Sequence, residues 1–165
     1  MIIYPKKYFE NVTKITVDFL KKNNIRGLIL DIDNTLINFD KEILEGAREW
    51  CNANKENGIR MCILSNTNKV EKVAKILELP YIYFAKKPLK SGFRKAKNLL
   101  QLPEENIAVV GDQIFTDVIG ANINHMYPIL TKPIDKRDIL TTKLKRPLEN
   151  LIIKMYLRKG ENKCI

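Results

Sequence analysis

Five short apolar runs alternate with segments of helical period along most of this chain, and that alternation restricts the fold more than any other feature. The runs lie at 27–31, 59–64, 81–85, 107–111 and 127–131 and have the length of buried strands. Helices are predicted between them. One spans 41–57, capped by Asp40 and ending near Gly58. A second spans 69–78, with Val70, Val73, Ala74 and Leu77 on one face and Asn68 with Glu71 as a capping pair. The others are 92–101, after Ser91, and 115–124. Strands that alternate with helices form a parallel sheet with right-handed crossovers and helices on both faces. The expected fold class is therefore α/β, a Rossmann-like three-layer sandwich on a five-stranded parallel sheet. All strand carboxyl ends then share one edge, where open α/β sheets bind ligands.

At 165 residues and 45% hydrophobic, the chain suits one domain, residues 1–165, with a single core. Two elements are appended to the alternation: a helix at about 8–22, and a basic amphipathic segment at about 135–159. Pro147 should break or kink the latter. No apolar stretch approaches the roughly 18 residues of a membrane span, and the N-terminus lacks a signal-peptide core. Cys51, Cys62 and Cys164 form neither a disulfide framework nor a metal-ligand pattern, which fits a reducing cytoplasm, and Cys62 reads as core. Trp50 also reads as core or interface, and the only histidine, His125, as a helix-end residue.

The charge is uneven. Residues 1–26 carry a net +4 and residues 135–165 a net +5, against +1 for the whole middle of a chain whose total is +10. Clustered basicity leaves room for an anionic partner. In the C-terminal segment Leu144, Leu148, Leu151, Ile152 and Met155 repeat at helical spacing, accompanied by Lys143, Arg146, Lys154, Arg158 and Lys159. Two readings stand side by side and can hold at once: the stripe packs on the sheet with its charges solvated, and the segment contacts anionic lipid at the inner face of a membrane. No recognised nucleic-acid-binding motif is present, so no nucleic-acid partner is expected.

The residues that follow each strand carry the chemistry. The first run delivers Asp31 and Asp33, with Thr35 just behind. Two carboxylates so close are costly unless a cation or a shared proton relieves them. The second run ends in Ser65-Asn66-Thr67, the third is followed by Lys86-Lys87-Pro88, and the fourth ends in Gly111-Asp112 with Thr116-Asp117 beyond. An acid pair, a hydroxyl, a lysine and two further acids on one edge form an inventory for phosphoryl transfer by a carboxylate nucleophile with magnesium.

These motifs, D-x-D-x-T-L at 31–36, S-N at 65–66, K-P at 87–88 and G-D-x-x-x-T-D at 111–117, resemble those of the haloacid dehalogenase superfamily of phosphatases. The wording LDIDNTL, ILSNT, AKKP and GDQIFTDV is similar to the YqeG branch, which is related to mitochondrial phosphatidylglycerophosphate phosphatases. The resemblance implies Asp31 as the nucleophile that becomes an aspartyl phosphate. It implies Asp33 as general acid and then base, with its backbone carbonyl on a Mg2+ ion. Asp31 and Asp112 would bind that ion directly, and Asp117 would hold metal-bound waters or Lys87. Ser65, Lys87 and the backbone of Asn66 would hold the phosphoryl oxygens, with Thr35 supporting from behind.

The spacing leaves no room for a cap domain: the next helix is expected within about half a dozen residues of Leu36, and only one helix and one strand fit between Ser65 and Lys87. A capless site suits a bulky phosphorylated substrate, such as a lipid headgroup or a phosphoprotein, or else a site covered by another subunit. Phosphatidylglycerophosphate is the substrate the resemblance implies. A soluble sugar phosphate or nucleotide is the alternative, and a non-catalytic binding module the third reading. The oligomeric state is left open.

Overall fold

A computed structural model of the protein describes residues 2–67, 70–135, 137, 140–158 and 165, with 140–143 described by their backbone alone. The chain forms β1 (Lys7–Phe9), a 3-10 turn at Val12–Lys14, α1 (Val17–Lys22), β2 (Gly27–Leu30), α2 (Ala47–Glu56) and β3 (Arg60–Leu64). Next come α3 (Glu71–Leu77), β4 (Tyr81–Ile82), α4 (Lys90–Leu100) and β5 (Ile107–Gly111). A π-helical turn at Ile114–Val118 runs into α5 (Ile119–Ile123), followed by β6 (Tyr127–Thr131) and α6 (Leu140–Leu157). All pairings are parallel, in the order β1-β6-β5-β2-β3-β4.

Side chains on successive strand residues point to opposite faces, and each face is apolar because each is covered. Leu28, Leu30, Met61, Ile63, Ala108 and Val110 pack with Leu20, Trp50, Cys51, Val73 and Ala74 from α1, α2 and α3. Ile29, Cys62, Leu64 and Val109 pack on the other face with Phe93, Ala96 and Ala121 from α4 and α5. Burying each Val, Leu, Ile, Phe or Met among them contributes about 1.5–3 kcal/mol. The Trp50 indole N–H also donates to the Ile15 carbonyl at 2.7 Å, so its polar atom is satisfied inside the core. His125 is exposed just past α5, as expected.

The class is as expected, α/β with a parallel sheet, but the sheet has six strands. The predicted helix at 8–22 is divided. Tyr8 and Phe9 are buried and pair with Leu130 and Thr131 of β6, so residues 7–9 add an edge strand. Asn11 and Thr16 then accept N–H bonds from Thr13 and Phe19, which start the 3-10 turn and α1. The predicted helix at 41–57 begins only at Ala47, because Asn38 captures the Glu42 N–H and an Ile37–Ile43 bridge holds 37–43 in a turn. The loop after Leu36 is thus longer than expected, yet it holds no inserted domain. The third strand is two residues, 81–82, rather than five. The helix expected at 92–101 starts at Lys90 with no side-chain cap, so Ser91 is not its cap. That at 69–78 spans Glu71–Leu77, and the expected cap Asn68 lies outside the described residues.

The C-terminal segment also differs from expectation. Helix α6 runs on through Pro147 without a break. Its buried face is Glu149, Ile152 and Tyr156, of which Ile152 and Tyr156 pack with Tyr8, Ile114, Val118 and Leu130. Leu144, Leu148, Leu151 and Met155 are exposed, Leu144 by 78%, so the packing reading of that stripe fails apart from Ile152. No helix among the described residues is long and apolar enough to cross a membrane.

Candidate active site

Strand β2 sits at the centre of the sheet, between β3 and β5, and its carboxyl end opens at the point where the connections diverge. Asp31 directly follows it, its N–H donating to the Val110 carbonyl, so its backbone is fixed by the sheet itself. Ser65 leaves the end of β3 and is buried, with its Oγ accepting from the Thr67 N–H at 3.1 Å. Lys87 arrives from the β4–α4 loop. Phe84 and Lys86 take left-handed backbone in that loop (φ +47° and +54°), an uncommon conformation for such side chains, and the Lys87–Pro88 peptide is cis. Asp112 follows β5, and Asp117 rides on the π-helical turn behind it.

These residues meet. The Lys87 ammonium lies 2.6 Å from Asp31 Oδ1 and 2.7 Å from Asp117 Oδ1, and all three side chains are buried. A second buried cation contact holds Asp112: Arg146 of α6 pairs with its Oδ2 and donates to its main-chain carbonyl at 3.0 Å. Asp31, Asp112 and Asp117 each offer a carboxylate oxygen within 4.8 Å of the other two. Asp112 Oδ1 is buried with no hydrogen-bond partner among the described residues.

Charge in this pocket is out of balance. Burial pushes the Asp31 carboxyl up to about 7; Lys87 opposes the rise and the Asp117 charge adds to it. Burial likewise raises Asp112 well above the ordinary carboxylate range, against the pull of Arg146 and with help from Asp31 and Asp117. Burial by itself would lower Lys87, but the charges of Asp117 and Asp31 outweigh it and hold the ammonium protonated. Three buried carboxylates face two cations, and one acid oxygen has no donor. That set fits a divalent cation bound by oxygen ligands.

Close approach of backbone to side chain makes the arrangement possible. A Cβ built on Gly111 would overlap the Asp117 carboxylate, so glycine there lets Asp117 lie against the end of β5. Asp117 Oδ2 also accepts from the Gln113 N–H at 3.2 Å, closing the turn between the two acids.

The sequence-predicted residues fall as follows. Asp31, Ser65, Lys87, Asp112 and Asp117 converge at one edge. Thr35 is buried behind them, with no partner for its Oγ1 among the described residues. Asn66 is nearby, and its side chain clamps the Lys87 backbone, accepting from its N–H at 2.7 Å and donating to its carbonyl at 3.3 Å. Asp33 stands apart from the buried cluster: its carboxylate is 40% exposed and pairs with Lys41 at 2.7 Å. Lys41 and the Arg146–Glu149 pair went unrecognised in sequence. Lys41 carries no motif, and Arg146 reads there only as part of a basic stretch. Lys86, the neighbouring lysine, is exposed.

Comparison with known proteins gives concordant results. Residues 39–123 match the family model described as haloacid dehalogenase-like hydrolase. The Probable phosphatase YqeG of Bacillus subtilis (strain 168) is 36% identical over 159 residues, covering 94% of this chain and 92% of that protein. Among solved structures, an uncharacterized protein from Listeria monocytogenes serotype 4b superposes with a TM-score of 0.55 at 17% identity, covering 79% of this chain and 99% of that one. The cobalt-bound deoxy-D-mannose-octulosonate 8-phosphate phosphatase from Haemophilus influenzae gives 0.53 at 13% identity, with 82% and 91% covered. At those identities the two structures share the fold with this chain.

Proposed function

The chain belongs to the haloacid dehalogenase-like hydrolases, in the branch that contains YqeG, and from that premise we propose that it hydrolyses phosphate monoesters through an aspartyl phosphate on Asp31. The observation that carries this reading is the Lys87 ammonium held between the Asp31 and Asp117 carboxylates beside Asp112. An Asp31 oxygen attacks phosphorus, the ester P–O bond breaks, and Asp33 gives its proton to the leaving oxygen. Asp33 then takes a proton from water, which attacks phosphorus and frees Asp31 and inorganic phosphate. Lys87 and the Ser65 hydroxyl oppose charge that builds on the transferring oxygens. In this structure the Asp33 carboxylate pairs with Lys41 outside the buried cluster, so the acid role requires it to leave Lys41 and turn toward the leaving oxygen. Asp31, Asp112 and the Asp33 carbonyl would hold a Mg2+ ion, with Asp117 behind, and the ion would neutralise phosphoryl charge when bound.

For the substrate, phosphatidylglycerophosphate is the reading we favour. Its support is a capless edge together with exposed apolar groups. Leu144, Leu148, Leu151 and Met155 form an outward stripe on α6, with Lys145 and Lys154 exposed on the same helix and Arg158 exposed just past its end. The loop that delivers Lys87 exposes Tyr83, Phe84 and Leu89 as well. An apolar helix face flanked by cations suits peripheral contact with an anionic bilayer, at about 1 kcal/mol per basic residue near the headgroups.

Side-by-side hydrolysis of phosphatidylglycerophosphate, sugar phosphates, nucleotides and phosphopeptides tests this reading, with Asp31→Asn as the blank. The lipid phosphate should lead, and the protein should sediment with anionic rather than neutral vesicles, less so as salt rises. Preference for a sugar phosphate or nucleotide, with no vesicle binding at low salt, would make the substrate soluble. No hydrolysis of any monoester would leave a binding module.

A further inference from the structure

Helix α6 does more than pack beside the sheet. Arg146 reaches from it to Asp112 at two points, pairing with the carboxylate Oδ2 and donating to the main-chain carbonyl at 3.0 Å. The Arg146 side chain is only 14% exposed, and its Nη1 lies 3.3 Å from Glu149 Oε2, one turn along the same helix. Glu149 is itself buried, and its Oε1 accepts the Phe115 N–H at 3.1 Å. The pair therefore grips the turn after β5 at both ends, at Asp112 and at Phe115. Phe115 itself lies in the π-helical turn, Ile114–Val118, that carries Asp117.

Holding one carboxylate oxygen decides what the other can do. With Oδ2 and the main-chain carbonyl both engaged by Arg146, the oxygen of Asp112 left without a donor among the described residues is Oδ1, and it is buried in the acid cluster. A planar guanidinium with two parallel donors fixes both position and plane of its partner, which an ammonium cannot do. We propose that Arg146, braced by Glu149, is a positioning residue that orients Asp112 so that Oδ1 is presented to a divalent cation, making α6 part of the metal site. This inference rests on the proposed cation site at Asp31 and Asp112.

The two effects of a nearby arginine on a cation have opposite signs, so the outcome is decidable. Electrostatic repulsion alone would make metal binding tighter once Arg146 is removed. Loss of orientation makes it weaker, and partners that orient a metal-binding carboxylate typically account for about 10–100-fold in affinity. Isothermal titration of Mg2+ into the chelator-treated full-length protein reads this directly. Arg146→Met should weaken Mg2+ binding by about 10–100-fold, Arg146→Lys should fall between it and the parent, and Glu149→Gln should weaken it less than Arg146→Met. At saturating Mg2+ the KM for a small aryl phosphate should stay at the parent value in Arg146→Lys, because the role assigned to the residue is to orient Asp112. Melting of each metal-free variant checks that the fold persists; if Arg146→Met does not fold, Arg146→Lys still carries the test. Parent-like or tighter Mg2+ binding in the folded arginine variants would overturn the inference and leave the cation site standing. A parent that binds no divalent cation would overturn both.

Discussion

Replacing Lys87 by Met probes the centre of the site with little change in volume. The Lys87 side chain is 3% exposed and contacts Asp31 and Asp117 at 2.6 and 2.7 Å, so methionine leaves two buried carboxylates without their shared cation. Removing one partner of a buried ion pair costs about 3–5 kcal/mol. For a chain of this size each kcal/mol is about 2–4 °C in Tm, so the metal-free variant should melt about 6–20 °C below the parent at pH 8. The pH dependence follows from Asp31. Its folded-state pKa is raised from 3.8 to about 7 even with Lys87 opposing the shift, and without Lys87 it moves higher. An acid whose pKa rises on folding binds a proton in the folded state before the unfolded one, so its contribution to stability falls as pH climbs from 3.8 through the folded value. At pH 5 the variant's Asp31 is protonated and one of the two unpaired charges disappears. Lys87 itself is raised further by the acids, so in the parent it stays charged throughout this window. Thermal denaturation of metal-free parent and Lys87→Met at pH 5, 6.5 and 8 should show a deficit that widens with pH. Hydrolysis of an aryl phosphate should fall by about 100–1,000-fold. An equal deficit at pH 5 and pH 8, or none at either, would refute the argument.

Asp31→Asn should fold as the parent does and lose turnover, and beryllium fluoride should protect the parent, not the variant, against thermal unfolding; near-parent activity would remove the covalent mechanism. Thorough chelation should abolish hydrolysis and Mg2+ should restore it. Asp112→Ala should lose more Mg2+ affinity by titration than Asp117→Ala, and the reverse order would mean that Asp117 is the direct ligand. Gly111→Ala should push the Asp117 carboxylate off its seat against β5, lowering stability by about 1–3 kcal/mol and cutting kcat in the same variant; a parent-like melting curve and rate would show that the turn yields without cost.

Much of the fold and of the candidate site was legible in the residues themselves. Strands whose two faces are both buried must be apolar throughout, so β2, β3, β5 and β6 announce themselves, and a parallel sheet brings all their carboxyl ends to one edge. That topology is why Asp31, Ser65, Lys87 and Asp112 could be gathered from positions far apart in the chain. What depends on pairing across long separations was not legible. Residues 7–9 form a strand because the edge of β6 is there to receive them, and their own short run carries no period that a helix would not share. Residues 37–46 are held out of α2 by a bridge and a side-chain bond, neither of which leaves a hydrophobic pattern. The placement of α6 was decided by tertiary structure alone. Its most regular apolar stripe faces outward, whereas Glu149 and Arg146, polar residues that local propensity would put in solvent, turn inward because the acids at the end of β5 supply the partners that their burial requires.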